Sequence, residues 1–201
     1  MKKIFLNLLD SEDAWLQERL RANGIDPESI LAEASEAQKK QDKWDKRFLR
    51  LARDISKWSK DPSTQVGAVI VDEQQRIVSI GYNGFPSAIR DTEERLNDRD
   101  TKYELTIHGE MNALLFANRQ VRGCTLYTVP LPPCTRCAVM FIQAGISRVV
   151  APPLAEEQKD RWSESVERST SLFREAGITF EEVREDGAVA ADSEATGKEE
   201  G

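Results

Sequence analysis

Histidine, cysteine and long apolar runs are scarce in this chain of 201 residues: it has one histidine, three cysteines and only short stretches of continuous hydrophobicity. No apolar run approaches the ~18 residues a membrane-spanning helix requires, so a transmembrane segment is not expected. The opening MKKIFLNLLD carries a basic pair, but Asn7 and Asp10 interrupt its apolar residues. It lacks the apolar core and small-residue cleavage site of a signal peptide, and a cytoplasmic protein is expected. Three cysteines without a secretion signal do not build a disulfide framework. Basic charge is short as well: 28 Lys and Arg stand against 35 Asp and Glu, a net charge of −7. Polynucleotide-gripping proteins usually present a basic surface, so non-specific DNA or RNA binding is not expected. A local basic pocket for one small phosphate is compatible with that balance. With a single histidine, all imidazole chemistry must fall on His108.

What is present is an ordinary globular composition, 39% hydrophobic and 31% charged, long enough for one α/β domain with a sizeable core. Residues 1–40 read as a helical extension, two short helices around a turn, with Asp26 as N-cap and Pro27 at the first helical position. The main domain is placed at 41–184. Trp44, Phe48, Leu51, Ile55 and Trp58 form one apolar stripe on its first helix, which ends before Asp61-Pro62. VGAVIVD (66–72) and RIVSIGYN (76–83) read as a hairpin, and 84–106 as a long charged irregular stretch of the kind that forms lids or binding loops. After residue 107 helices and strands alternate, the pattern of crossovers with helices on the sheet's faces. The expected architecture is α/β, a three-layer α/β/α domain with a mixed five-stranded sheet. Residues 185–201 lack large apolar side chains and read as a disordered acidic tail.

Chemistry concentrates in IHGEMNALL and VPLPPCTRCAVM, each at the start of an expected helix. Cys134 and Cys137, three residues apart, project from one side of a first helical turn. A helix N-terminus favours thiolate over thiol, and so favours metal ligation. Two thiolates and the His108 imidazole make a three-ligand zinc set with a fourth position open, where a water reaches a pKa near neutrality. Glu110, two residues past the histidine, is placed to move protons and not to bind the metal. A closed structural site would need Cys124 as fourth ligand. A strand of five or six residues separates Cys124 from Cys134 by roughly 17 Å, far beyond a zinc–sulfur bond of about 2.3 Å. Cys124 is expected to be a small buried core residue.

At these residues the chain resembles the deoxycytidylate (dCMP) deaminase family of the cytidine-deaminase-like zinc fold, whose signature is H-x-E…P-C-x-x-C. The resemblance runs from about Trp44 to Val183 and includes SKDPSTQVGAVIVD (59–72), IGYNGFP (80–86), DTKYELTIHGEMNAL (100–114) and PCTRCAVMFIQAGISRVV (133–150). It implies zinc on His108, Cys134 and Cys137, Glu110 as proton shuttle, Asn83 on the sugar hydroxyl, and conversion of dCMP to dUMP and ammonia. It also implies a homo-oligomer, a dimer or hexamer. Lys60, Ser63 and Arg136 are candidates for the substrate's 5′-phosphate, since charge-assisted bonds to phosphate are strong. Two positions depart from the family pattern. Gly109 stands where an alanine is usual, and Ala88 where glycine is common, which implies a weak response to dCTP. Other substrates remain open on the same zinc chemistry, namely cytosine, deoxycytidine, dCTP or a tRNA adenosine; so does a non-catalytic regulatory protein on the same fold, against which the intact Glu110 argues.

Overall fold

The structure is a computed structural model of the chain and describes residues 14–184. The expected acidic tail lies outside those residues. Two compact units divide the chain, Met1–Asp45 and Lys46–Gly201. In the first, α1 (Ala14–Ala22) ends in a turn at Gly24, whose φ of +73° suits a residue without a Cβ. Asp26 then caps α2 (Pro27–Ser56): its carboxylate accepts from the Glu28 N–H at 3.3 Å and the Ser29 N–H at 3.2 Å. The sequence pattern separates a short helix here from another starting near Trp44. The structure has a single helix of 30 residues, because nothing from Glu28 to Ser56 is glycine or proline.

The second unit is built on β1 (Gly67–Val71), β2 (Ile77–Tyr82), β3 (Thr125–Val129), β4 (Arg148–Ala151) and β5 (Thr179–Glu182). They form one five-stranded sheet in the order β2-β1-β3-β4-β5, antiparallel at β2-β1-β3 and parallel at β3-β4-β5. The mixed sheet expected from the sequence is therefore present. Every residue of β1 is buried, as a strand flanked on both sides and covered on both faces must be. The hairpin turn is held by Asp72, whose carboxylate accepts from the backbone N–H groups of Gln74 and Arg76, both at 3.0 Å.

Two close approaches show what lies on each face. Gly67 lies against α2, where an added Cβ would come within 2.0 Å of the Ala52 carbonyl oxygen. Gly81, whose neighbour across the ladder is Ala68, lies against α5 (Gly109–Leu115), where a Cβ would meet the Ala113 nitrogen at 2.2 Å. Since Gly67 and Ala68 are consecutive on a strand, these helices cover opposite faces. On the α2 face, the ring of Phe48 packs 5.1 Å from that of Tyr127. On the other, Ala68, Ile70, Leu126 and Val149 form a core with Phe141 of α6 (Thr135–Ala144) and Phe173 of α7 (Glu156–Glu175). The layers are α/β/α.

Trp58 departs from the expected stripe. The helix ends at Ser56, so Trp58 falls beyond the last turn, 56% exposed, with its ring edge-on to Tyr82. The stretch 84–106 is not irregular throughout: it holds α3 (Glu93–Asn97) and α4 (Arg99–Leu105), and the Asp98 side chain caps α4 by accepting from the Thr101 N–H at 2.9 Å. Both are mostly charged and carry no apolar face to show a period. A two-bond bridge between Gly84 and Ile107 closes the segment at its base.

Candidate active site

His108 and Cys134 occupy the N-cap positions of α5 and α6, with extended backbone and no side-chain capping bond. Serine, threonine or aspartate at these positions would turn back onto the helix; here both side chains are free to face each other. Cys137, one turn into α6, joins them. The His108 Nδ1 lies 3.5 Å from the Cys134 Sγ and 3.4 Å from the Cys137 Sγ. Tetrahedral bonds of about 2.3 Å to sulfur and about 2.05 Å to nitrogen place such ligand atoms about 3.6 Å apart. The three donors are positioned to bind a zinc ion, and their atoms all lie within 4.8 Å of one another. Cys124 is outside the cluster, 1% exposed in the core, as expected.

These groups shift one another's proton affinities. Cys134 is held as a thiolate, down to about 4, by hydrogen bonds from the Cys137 thiol and from His108, against the opposing effect of burial. The Cys137 thiol is pushed up by donating to Cys134 and by burial. His108 is raised to about 9, first by its bond to Cys134, with Glu110 adding to it against burial. A dication replaces the protons that hold this set together.

Glu110, in the first turn of α5, is 2% exposed, and its Oε2 has no hydrogen-bond partner. Burial raises its carboxyl to about 7, opposed by the charge of His108. A buried carboxyl with an uncommitted oxygen and a proton affinity near neutrality is suited to proton transfer. Its neighbour Gly109 is tightly enclosed: an added Cβ would come within 2.9 Å of the Val66 carbonyl oxygen.

His108, Cys134 and Glu110 line an open cavity of about 590 Å³, the solvent at its mouth included. Of the residues the sequence assigned to substrate, Asn83 and Ser63 line it. Asn83 is 3% exposed; its amide donates to the Thr64 carbonyl at 2.9 Å and Asp61 at 3.3 Å, and its Oδ1 accepts from the Val66 N–H at 2.7 Å. The 59–66 loop is shaped by Asp61, whose carboxylate accepts from the N–H groups of Ser63 at 2.8 Å and Thr64 at 3.2 Å. Lys60 and Arg136 are not among the lining residues: Lys60 is 68% exposed and pairs with Asp91 at 2.8 Å, and Arg136 is exposed on α6.

Sequence reasoning missed Lys102, Tyr103, Arg161 and Trp162, all of which line the cavity. The Lys102 ammonium is 8% exposed, binding Asp61 at 3.1 Å and the Ser63 hydroxyl. Lys102 and Tyr103 lay in a recognisable segment, but nothing in their identity signals burial. Arg161 and Trp162 sit on a polar helix with no motif at all.

A mixed sheet covered on both faces, with a His/Cys/Cys cluster and a buried glutamate at two helix starts, defines a zinc-dependent deaminase domain. Residues 42–152 match the family model described as the cytidine and deoxycytidylate deaminase zinc-binding region, and the chain belongs to that family. It is 45% identical over 136 residues to an uncharacterised deaminase in the luxG 3′ region of Aliivibrio fischeri, covering 68% of this chain and 90% of that one. It is 40% identical over 147 residues to the deoxycytidylate deaminase of Homo sapiens, covering 68% and 78%. The fold matches the apo crystal structure of a dCMP deaminase from the cyanophage S-TIM5 with a TM-score of 0.54 and 22% identity, over 69% of this chain and 96% of that one. Among the described residues no helix is long and apolar enough to cross a membrane.

Proposed function

We propose that this chain hydrolyses dCMP to dUMP and ammonia. The observation that carries the reading is the buried Glu110 carboxyl, its Oε2 unpartnered, sharing a cavity with His108 and Cys134 of the His108/Cys134/Cys137 cluster. Relatives named deoxycytidylate deaminase, at about 40% identity, support dCMP as the substrate. Zinc held by the three ligands would supply the Lewis acid that makes a water nucleophilic near neutral pH. Glu110 takes a proton from that water as the oxygen bonds to C4 of the cytosine ring, and delivers it to N3. It then carries the remaining hydroxyl proton to the amine, which leaves C4 as ammonia while the C4 carbonyl forms. One water enters and one ammonia departs, with Glu110 returned to its starting state. Asn83 is the group for the sugar hydroxyl, because its Oδ1 has a lone pair beyond the one used by Val66.

Residues 1–40 act as an extension to the catalytic domain, and the protein works as a homo-oligomer among the free nucleotides of the cytoplasm. Ammonia release from dCMP, dCTP, deoxycytidine and cytosine tests the substrate. The expected order puts dCMP first by at least about tenfold in kcat/KM, one hydrogen-bonded charged contact being worth that much. Release from cytosine at the same efficiency as from dCMP overturns it.

A further inference from the structure

We propose that Arg161, held by the Tyr103 hydroxyl and the face of Trp162, is the residue that binds the 5′-phosphate and makes this enzyme select a nucleoside monophosphate over a nucleoside. The inference rests on the reading of dCMP as substrate and adds the residue that reads its charge.

Two basic side chains line the cavity with His108 and Glu110, namely Lys102 and Arg161. Lys102 is committed. Its ammonium is buried against Asp61 and the Ser63 hydroxyl, so its charge is neutralised where it sits. Arg161 is not: its guanidinium donates to the Tyr103 hydroxyl, 5.7 Å from that ring's centroid, and lies over the Trp162 ring at 4.8 Å, with no carboxylate among its contacts. Stacking against the Trp162 face restrains the guanidinium without using up its in-plane N–H groups. Of its five donors, one reaches Tyr103 and the others remain for a planar two-point bond to a phosphate.

A second arginine sharpens the argument. Arg99 lies over the same tyrosine, with its guanidinium carbon 5.4 Å from the Tyr103 centroid, so two like charges converge on one phenol. No ion pair to a carboxylate is formed by either arginine among the described residues, and a dianion at the cavity mouth relieves their repulsion. The carboxylates that line the cavity are Asp61, already paired with Lys102, and Glu110, at the reacting end beside the metal ligands. Charge is therefore graded across the site, with a proton-carrying carboxyl at one end and an uncompensated guanidinium at the other. Holding the side chain in place before the ligand arrives also reduces the entropy lost on binding.

The test is steady-state deamination of dCMP and deoxycytidine by the full zinc-loaded chain, comparing wild type with Arg161→Ala, Arg161→Lys and Tyr103→Phe. Arg161→Ala is expected to lose roughly 10- to 100-fold in kcat/KM for dCMP, mostly through KM, while its kcat/KM for deoxycytidine stays within about threefold. Arg161→Lys keeps charge without the two-pronged geometry and should recover part of the loss; Tyr103→Phe frees the guanidinium and should lose less than the alanine variant. Zinc content and melting temperature equal to wild type establish that each variant is folded, and the lysine variant carries the test if the alanine variant is not. Unchanged dCMP kinetics in Arg161→Ala, or equal losses on both substrates, overturns the assignment of Arg161 alone. A wild type that deaminates deoxycytidine as efficiently as dCMP overturns the reading of the substrate, and this assignment with it.

Discussion

At the scale of single residues, Glu110 is where folding and chemistry conflict. Its carboxyl is buried with one oxygen unpartnered, and burial raises its proton affinity from the ordinary 4.5 to about 7. In the metal-free protein the sign follows directly. The unfolded chain releases this proton near 4.5, while the folded chain retains it to about 7, so the folded state binds more protons between those values. The contribution to stability is full below 4.5 and is lost as pH rises through 7. Glu110→Gln has nothing to ionise, and its metal-free form should gain up to about 3 kcal/mol over wild type at pH 8 but little at pH 5. Urea midpoints of chelator-treated protein at the two pH values measure this, and an equal difference at both refutes it. In the zinc-loaded enzyme the same substitution should retain metal and lose about 10²- to 10⁴-fold in turnover. Normal turnover would mean that another group carries the protons.

At the scale of elements, the site depends on how closely α5 approaches β2. Gly81 permits it, with an ideal Cβ only 2.2 Å from the Ala113 nitrogen and 2.3 Å from the Gly109 carbonyl oxygen. Both atoms are backbone, so a methyl group there must push the whole helix outward, and with it His108 and Glu110. Gly81→Ala should cost at least about 1–3 kcal/mol of stability and lower both zinc content and turnover. Gly84, three residues on, faces open space. Gly84→Ala should leave the melting temperature within the shift that corresponds to ~0.5 kcal/mol. Matching thermal melts of the two variants test the contrast, and equal behaviour would show that the close approach of α5 is not what positions the site. The hairpin, the helices after His108 and Cys134, and the alternation that follows were legible as elements because each carries apolar residues at the spacing of its element. The short α3 and α4 were not, since 5 and 7 residues of mostly charged sequence carry no such pattern.

At the scale of the molecule, the proposed zinc ties two helix starts that lie 26 residues apart in the chain, counted from His108 to Cys134. Metal bound to the folded state and not the unfolded one stabilises by mass action, about 4 kcal/mol at a thousandfold excess over Kd. Stripping it with a chelator should lower the melting temperature by roughly 10 °C, reversed by adding zinc. Metal analysis should find about one zinc per chain in wild type, loss in Cys134→Ala and retention in Cys124→Ala. Loss in both would return Cys124 to the ligand set.

The metal-ligating cluster and the glutamate beside it were readable from sequence alone, because a single histidine, a glutamate two residues on and a cysteine pair follow one signature. So was the sheet, from the alternation of its elements. The side of the cavity that faces the substrate was not. Lys60 looked like a phosphate ligand and is tied to Asp91, whereas Lys102, an ordinary lysine in sequence, is buried against Asp61. Arg161 stands 58 residues from Tyr103, and no local pattern relates them. Bonded and periodic constraints act along the chain and are written in it. Whether a charge meets a carboxylate, an aromatic face or open solvent depends on which distant segments the sheet brings together, and only the tertiary structure decides that.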